Sequence, residues 1–462
     1  MITWQSTGAE IAAAVRDGKI SATEAVRVSL DRIEHTNPAL NAFTAVTSER
    51  AWAKAAAIDR MRDEGRPLGP LAGMPFAVKN LFDIAGLSTL AGSKINRDRK
   101  PAAADATLVQ RLEAAGAILV GALNMGEYAY DFTGENVHYG PSRNPHDPTR
   151  MSGGSSGGSG TAVAAGMVPL ALGSDTNGSI RVPSSLCGLF GLKPTFGRLT
   201  RHGSFPFVAD LDHLGPMARS VADLALSYDA MQGPDAADRW CAQKPSEPAL
   251  PSLEAGIDGL RIAVADDYFA ATGEAEAHAA VAAFAKALGT DRHVTLPEAG
   301  RGRAAAYVIT ASEGANLHRE RLKTRAGDFD PATRDRFFAG LMLPADWLVQ
   351  AHRFRAWYRA RVAEVFRDVD IILAPATPCT APKLGQVMMT LNGVEMPVRA
   401  NLGLFTQPVS AIGLPVVAAP WAERDGKLPI GVQVIAAPWR EDLALRVARH
   451  LEKTGIAASK AV

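Results

Sequence analysis

The residue types able to do chemistry concentrate in two glycine and serine clusters, Met151-Ser-Gly-Gly-Ser-Ser-Gly-Gly-Ser-Gly160 and Gly173-Ser-Asp-Thr-Asn-Gly-Ser179. Glycine lets a backbone approach a ligand closely with its N–H groups inward, and serine adds hydroxyls at the same place. Composition alone would also suit a flexible linker. The clusters, however, flank Thr161-Ala-Val-Ala-Ala-Gly-Met-Val-Pro-Leu-Ala-Leu172, an apolar stretch suited to a buried helix and strand. Two clusters clamped around a core segment read as a site rather than a tether.

Three chemistries compete for such a site. A phosphate loop closes on Gly-Lys-Ser/Thr, and neither cluster does. Gly154-Ser155-Ser156-Gly157-Gly158 fits the G-x-S-x-G elbow of α/β-hydrolases, which needs a strand directly before it and a downstream acid and histidine. The preceding Tyr139–Arg150 segment carries three prolines and reads as no strand. The third is a serine activated by lysine, which works only if the amine loses its proton near neutral pH, as burial among apolar groups makes it do. Lys79 ends Pro75-Phe-Ala-Val-Lys79, a run typical of a buried strand. An exposed strand end is the alternative for that lysine.

These segments carry a resemblance. Gly73-Met-Pro-Phe-Ala-Val-Lys-Asn80, Gly153-Gly-Ser-Ser-Gly-Gly-Ser159, Gly173-Ser-Asp-Thr-Asn-Gly-Ser-Ile-Arg-Val-Pro183 and Cys187-Gly-Leu-Phe-Gly-Leu-Lys-Pro194 together resemble the amidase signature family, nearly to the end of the chain at Leu428-Pro-Ile-Gly-Val-Gln-Val-Ile435. The resemblance implies an α/β body with a mixed central sheet covered on both faces by helices. It implies Ser179 as nucleophile, Ser155 as a bridging serine after a cis peptide, and Lys79 as base. The backbone N–H groups of Thr176, Asn177, Gly178 and Ser179 would form the oxyanion hole, the term that usually contributes most in acyl transfer. Asn177-Gly178-Ser179 departs from the family's more frequent Gly-Gly-Ser, and asparagine tolerates positive φ better than most residues. Asp175 and Arg181 resemble the family's pair that orients this loop, with a plain surface salt bridge as the alternative. Ser156 and Tyr128 are expected at the substrate, with a structural role the alternative for Glu127 and Tyr128. No cofactor is implied.

Substrate choice is expected between residues 260 and 370. Tyr307-Val-Ile-Thr-Ala-Ser-Glu-Gly-Ala-Asn-Leu317 and Arg334-Asp-Arg-Phe-Phe-Ala-Gly340 resemble the family's tRNA amidotransferase A subunits, in which a tyrosine and an arginine hold the carboxylate of glutamine; these map to Tyr307 and Arg336. A solvated helix face bearing Arg334 and Arg336 is the other reading. Gly403 falls where those subunits place an aspartate against the substrate's ammonium group, which favours a substrate with a carboxylate and no α-amino group. Tyr228-Asp-Ala-Met-Gln-Gly-Pro-Asp235 and Thr406-Gln-Pro-Val-Ser410 resemble the family's 1-carboxybiuret hydrolase branch, from s-triazine catabolism. That implies hydrolysis of a small anionic ureide or amide with ammonia release, through an acyl- or carbamoyl-enzyme. It also implies a small helical partner similar to the amidotransferase C subunit, in a homodimer or heterotetramer. A glutaminase subunit, a general aliphatic or aryl amidase and a non-catalytic scaffold remain open.

The elements that must position these groups follow from pattern. The 462 residues, 47% hydrophobic and 21% charged, can bury a large core. A net charge of +1 gives no electrostatic footprint for nucleic acid or a membrane surface. Cys187, Cys241 and Cys379 are too scattered for a disulfide framework, pointing to the cytoplasm, and the ten histidines lack metal-ligand spacing. A single amidase domain is expected. Residues 1–65 read as a helical arm: a helix from Ser6, a second opened by a Ser21-Ala-Thr-Glu24 capping box and ended by Asn37-Pro38, and a third over Thr47 to Glu64. Residues 66–230 form the catalytic core, 260–370 the variable region and 371–462 the return to the core. His202 and His213 are not needed by a lysine-based triad and read as structural.

Overall fold

The computed structural model describes residues 2–422 and 426–462. An eleven-stranded mixed sheet runs in the order Phe43–Val46, Ile118–Leu123, Pro75–Lys79, Leu170–Asp175, His213–Ala218, Phe190–Lys193, Val416–Pro420, Gly431–Ala436, Ile371–Pro375, Ile262–Ala265, His293–Val294. Pro75–Lys79 lies parallel to both neighbours, whereas the strands from Leu170–Asp175 across to Ile371–Pro375 pair antiparallel. Every residue of Pro75–Lys79, Leu170–Asp175 and Ile371–Pro375 is buried. Such unbroken apolar runs belong to a sheet covered on both faces.

The two faces sort by the period of two. Phe76 and Val78 pack into one apolar layer with Leu108 and Leu112 of the helix Thr107–Ala114, Leu224 of Val221–Met231 and Leu451 of Glu441–Lys453. Ala77 faces the other layer, formed by the N-terminal helices and by Gly157–Ala164. Lys79, two residues on, shares the face of Ala77. Beyond the sheet, the helices Ala299–Arg325, Pro331–Leu341 and Ala345–Val365 pack on one another. No helix of the described residues is long and apolar enough to cross a membrane.

Four local expectations are corrected. The arm also contributes the strand Phe43–Val46, which pairs antiparallel with Ile118–Leu123 and joins the arm to the main sheet. Asn37-Pro38 does not end the second helix, which spans Ala22–Leu40; the Asn37 side chain accepts the N–H groups of Ala42 and Phe43, closing the last turn around the proline. At that helix's start Ser21 accepts the N–H of Glu24, and in place of a full capping box the Asp59 carboxylate takes the N–H groups of Ala22 and Thr23. Finally, the proline-rich segment holds a two-stranded hairpin, Arg143–Asn144 with Asp147–Met151, outside the main sheet. There each proline lies outside the ladder or at its exposed edge.

Candidate active site

Lys79 is fully buried, and its Nζ lies 2.6 Å from Ser155 Oγ, 2.9 Å from Ser174 Oγ and 3.0 Å from Ser156 Oγ. Burial pulls its pKa down to about 7, opposed by the carboxylates of Asp175, Asp212 and Asp131. A neutral amine has two N–H bonds and one lone pair. Facing three hydroxyls, it therefore donates to two and accepts a hydrogen bond from the third. Ser156 already donates to the carbonyl of Ser174, and Ser155 is the nearest of the three.

The first cluster reaches the lysine through the helix Gly157–Ala164, every residue of which is buried. Small side chains let it seat closely: a Cβ on Gly158 would lie within 2.6 Å of backbone atoms of Ala42 and Asn124. The peptide Gly154–Ser155 at its entrance is cis.

The second cluster forms the turn between Leu170–Asp175 and the helix Arg181–Cys187. Asp175 and Arg181 are both fully buried and meet in a two-pronged ion pair, Nη2 to Oδ1 and Nε to Oδ2, each 2.9 Å, so this is no surface salt bridge. Burial alone would raise the Asp175 pKa, but Arg181 overcomes it and holds the carboxyl below its usual range. Asp175 Oδ2 also accepts the N–H of Ile180, clamping both ends of the turn. Arg181 Nη1 donates to Gln433 Oε1 at 2.7 Å and to the carbonyl of Thr406 at 3.1 Å, anchoring the turn to the far end of the chain. Within it, Gly178 has φ 141°, and an added Cβ would lie 2.1 Å from Thr406 Oγ1. Among the described residues the backbone N–H groups of Asn177, Gly178 and Ser179 have no protein acceptor.

Ser179, Thr176 and Asn177 line a narrow cleft of about 20 Å³, together with Tyr130, Asp131, Phe132, Tyr307, Thr310, Arg336 and Gln407. Arg336 is not on a solvated face: its guanidinium lies 3.5 Å over the Tyr130 ring and donates to the Tyr130 carbonyl. Arg334, by contrast, pairs with its exposed neighbour Asp335. Tyr307 stands half-exposed at the cleft.

Two expected substrate residues lie elsewhere. Tyr128 is packed against the His318 ring, centroids 4.0 Å apart, and its hydroxyl donates to Asn96 Oδ1. The backbone at Tyr128 and Ala129 is left-handed, φ 49° and 62°, which turns the chain so that Tyr130 reaches the cleft instead. Ser156 sits beside Lys79, behind the cleft lining. At Gly403 a Cβ would lie 2.3 Å from the Phe132 ring, so no acidic side chain fits there as packed. Asp131, the carboxylate of the cleft lining, is taken up by Arg399 and by the N–H groups of Thr133 and Gly134.

Sequence reasoning missed Tyr130, Thr310, Thr406 and Gln433, which no local pattern connects to the serine loops. It also missed Lys193, a second fully buried lysine, brought to about 7 by burial and by Arg181, whose Nζ donates to the Pro194 carbonyl. The apolar run Phe190–Lys193 is the same signal that marked Lys79. His213 is buried with Nδ1 facing the carbonyls of Leu211 and Asp175, and burial pushes its pKa well below the usual value. His202 meets Thr107. Asp210, Glu313 and His352 bring ligand atoms within 4.8 Å of one another, but Arg355 already pairs with Asp210.

The model of the family described as Amidase matches residues 24–445. The chain is 56% identical over 452 residues to the AtzE component of 1-carboxybiuret hydrolase from Pseudomonas sp. (strain ADP), covering 98% of this chain and 99% of that protein. It is 37% identical to the A subunit of glutamyl-tRNA(Gln) amidotransferase from Chloroflexus aurantiacus, covering 94% and 93%. Among solved structures, an inhibitor-bound s-triazine catabolic enzyme described in a vestigial protein complex superposes with a TM-score of 0.98 at 55% identity, covering 99% of this chain and all of that one.

Proposed function

The chain belongs to the amidase family and hydrolyses an amide C–N bond; from that premise we propose that it cleaves a small anionic ureide of the 1-carboxybiuret type, releasing ammonia through a covalent intermediate on Ser179. The observation that carries the mechanism is the 2.6 Å contact between the buried Lys79 amine and Ser155.

In this reading the neutral amine of Lys79 draws a proton through Ser155 from Ser179, whose oxygen attacks the substrate carbonyl. The N–H groups of residues 176–179 receive the oxyanion. Collapse expels ammonia, which takes its proton back from Lys79 by the same route, and water then releases the acyl or carbamoyl group. Arg336 and Tyr307 hold the substrate carboxylate, a group that suits arginine's fork. The crowded position at Gly403 and the neutralised Asp131 leave no free acid for an α-ammonium group. This favours an anionic ureide over glutamine. The similarity to a protein solved in a complex supports a protein partner for this chain, and the resemblance to the amidotransferase makes a small helical one the reading to test. Co-expression with a helical protein of that kind, and co-purification of the two at fixed stoichiometry, is its test.

Ammonia release from 1-carboxybiuret, biuret, oxamate, glutamine and a neutral aryl amide tests the substrate. Turnover confined to the anionic ureide, abolished in Ser179→Ala and weakened mainly in KM in Arg336→Ala, is expected. Preference for glutamine or the aryl amide contradicts the substrate class.

A further inference from the structure

Two buried polar atoms on cleft-lining residues, Asn177 Oδ1 and Tyr130 Oη, have no hydrogen-bond partner of good geometry, although the Arg336 guanidinium lies near enough to the Tyr130 hydroxyl to oppose the rise that burial gives its pKa. Buried polar groups in folded proteins are almost always paired, and each left unpaired costs stability. Both side chains are nonetheless held firmly. The Asn177 carboxamide donates through Nδ2 to Thr310 Oγ1 at 2.8 Å, which leaves Oδ1 as the free end. The Tyr130 ring is gripped by Phe207 and Phe337, with centroids at 5.0 and 5.2 Å, and by the Arg336 guanidinium at 3.5 Å. One atom is an acceptor only, and the other carries a donor proton. Both residues line the same cleft as Ser179.

We propose that Asn177 and Tyr130 are specificity-determining residues that read the ureide backbone, the Asn177 oxygen accepting a bridging N–H and the Tyr130 hydroxyl donating to a second carbonyl. This rests on the amidohydrolase reading above and extends it. A monoamide with a methylene bridge offers neither group, so its binding would leave both protein atoms unpaired. An N-acylurea presents N–H and C=O in alternation along its length and pairs both. Selection therefore comes from the bridge between the scissile carbonyl and the carboxylate. The backbone N–H groups of the turn contact a different atom, the scissile carbonyl oxygen.

Allophanate and malonamate differ only by N–H against CH2 in that bridge, and 1-carboxybiuret adds the second carbonyl. Steady-state kinetics on all three, with calorimetric binding in the Ser179→Ala background, tests the pair. Wild type is expected to favour both ureides over malonamate. Asn177→Leu is expected to compress the allophanate-to-malonamate ratio of kcat/KM about tenfold, and Tyr130→Phe the 1-carboxybiuret-to-malonamate ratio by a similar factor. Tyr130→Phe keeps the ring packing and removes only the hydroxyl, so it serves even if the Asn177 variant disturbs its loop. Ratios that stay at the wild-type value, with all substrates falling together, overturn the proposal. Wild-type turnover of malonamate alone overturns it while leaving the amidase reading intact. Neither binding nor turnover of any of the three overturns the proposal together with the anionic-ureide substrate class.

Discussion

The hydroxyl of Thr406 donates to the backbone carbonyl of Asn177 at 2.6 Å, joining residues 229 positions apart in the chain. A trans peptide points its N–H opposite its C=O. With the Asn177 carbonyl turned to Thr406, the N–H of Gly178 faces away from Thr406, in the turn between the cleft-lining residues Asn177 and Ser179.

Thr406→Val removes that donor and frees the peptide to rotate. A roughly 10- to 100-fold loss in kcat with KM little changed is expected. Thr406→Ser restores the hydroxyl and should recover most of the rate. Steady-state kinetics of the two variants checks the pair; equal losses in both would assign Thr406 a packing role alone.

Arg181→Met should be among the most damaging substitutions. It leaves Asp175 charged, buried and without its two-pronged partner, a loss of about 3–5 kcal/mol. Adding Asp175→Asn removes the orphaned charge and should recover part of the stability but not the activity, because the turn bearing Ser179 has lost its clamp. Urea unfolding and ammonia release, measured together, separate the two effects.

Lys79 must be neutral to accept a proton, and its pKa is about 7. The acid limb of kcat/KM should therefore rise through about pH 7 to a plateau. Lys193 titrates in the same range but touches none of the serines around Lys79. Lys193→Met should keep the limb, whereas Lys79→Met abolishes turnover. A pH profile that loses its limb in Lys193→Met would assign the titration to the wrong amine.

Lys79 also lowers stability. Unfolded lysine titrates near pH 10.4 and the buried one near 7, so between these values the unfolded chain binds the extra proton and stability rises with pH. The penalty is full below pH 7, at most about 5 kcal/mol, and vanishes above about pH 10.5. Lys79→Met should consequently melt higher than wild type at pH 7, with the gap closing toward pH 10. A gap that is constant with pH would show that the lysine is charged in the folded state.

How much of this was legible in the sequence depends on whether a residue's role is local. Lys79, Ser155, Ser174 and Ser179 lie in runs whose composition already announces a buried strand and close-packed turns; the sheet sets the Lys79 strand beside the strand bearing Ser174, and Ser155 meets Lys79, whereas among the described residues no hydrogen bond joins Ser179 to Ser155. The cleft wall was less legible, because it is built by convergence. Thr310 from one helix, Arg336 from the next and Gln407 from near the end of the chain meet only in three dimensions. The choice between a structural and a substrate role for Tyr128 was not legible, because two consecutive left-handed residues, Tyr128 and Ala129, set its place and no periodicity signals them. Pro38 failed as a stop signal because only its own N–H is lost from the ladder, and the helix closes at a left-handed Asn41 whose N–H reaches the Asn37 carbonyl.

In the proposed mechanism Ser179 carries the substrate's acyl or carbamoyl group during turnover. Rapid acid quench of wild-type protein with 1-carboxybiuret, followed by digestion and peptide mass spectrometry, tests it most directly. An ester-linked adduct on the peptide containing Ser179, absent from Ser179→Ala, which no longer releases ammonia, is the expected result. Turnover persisting in Ser179→Ala, or an adduct on a different residue, would contradict the mechanism.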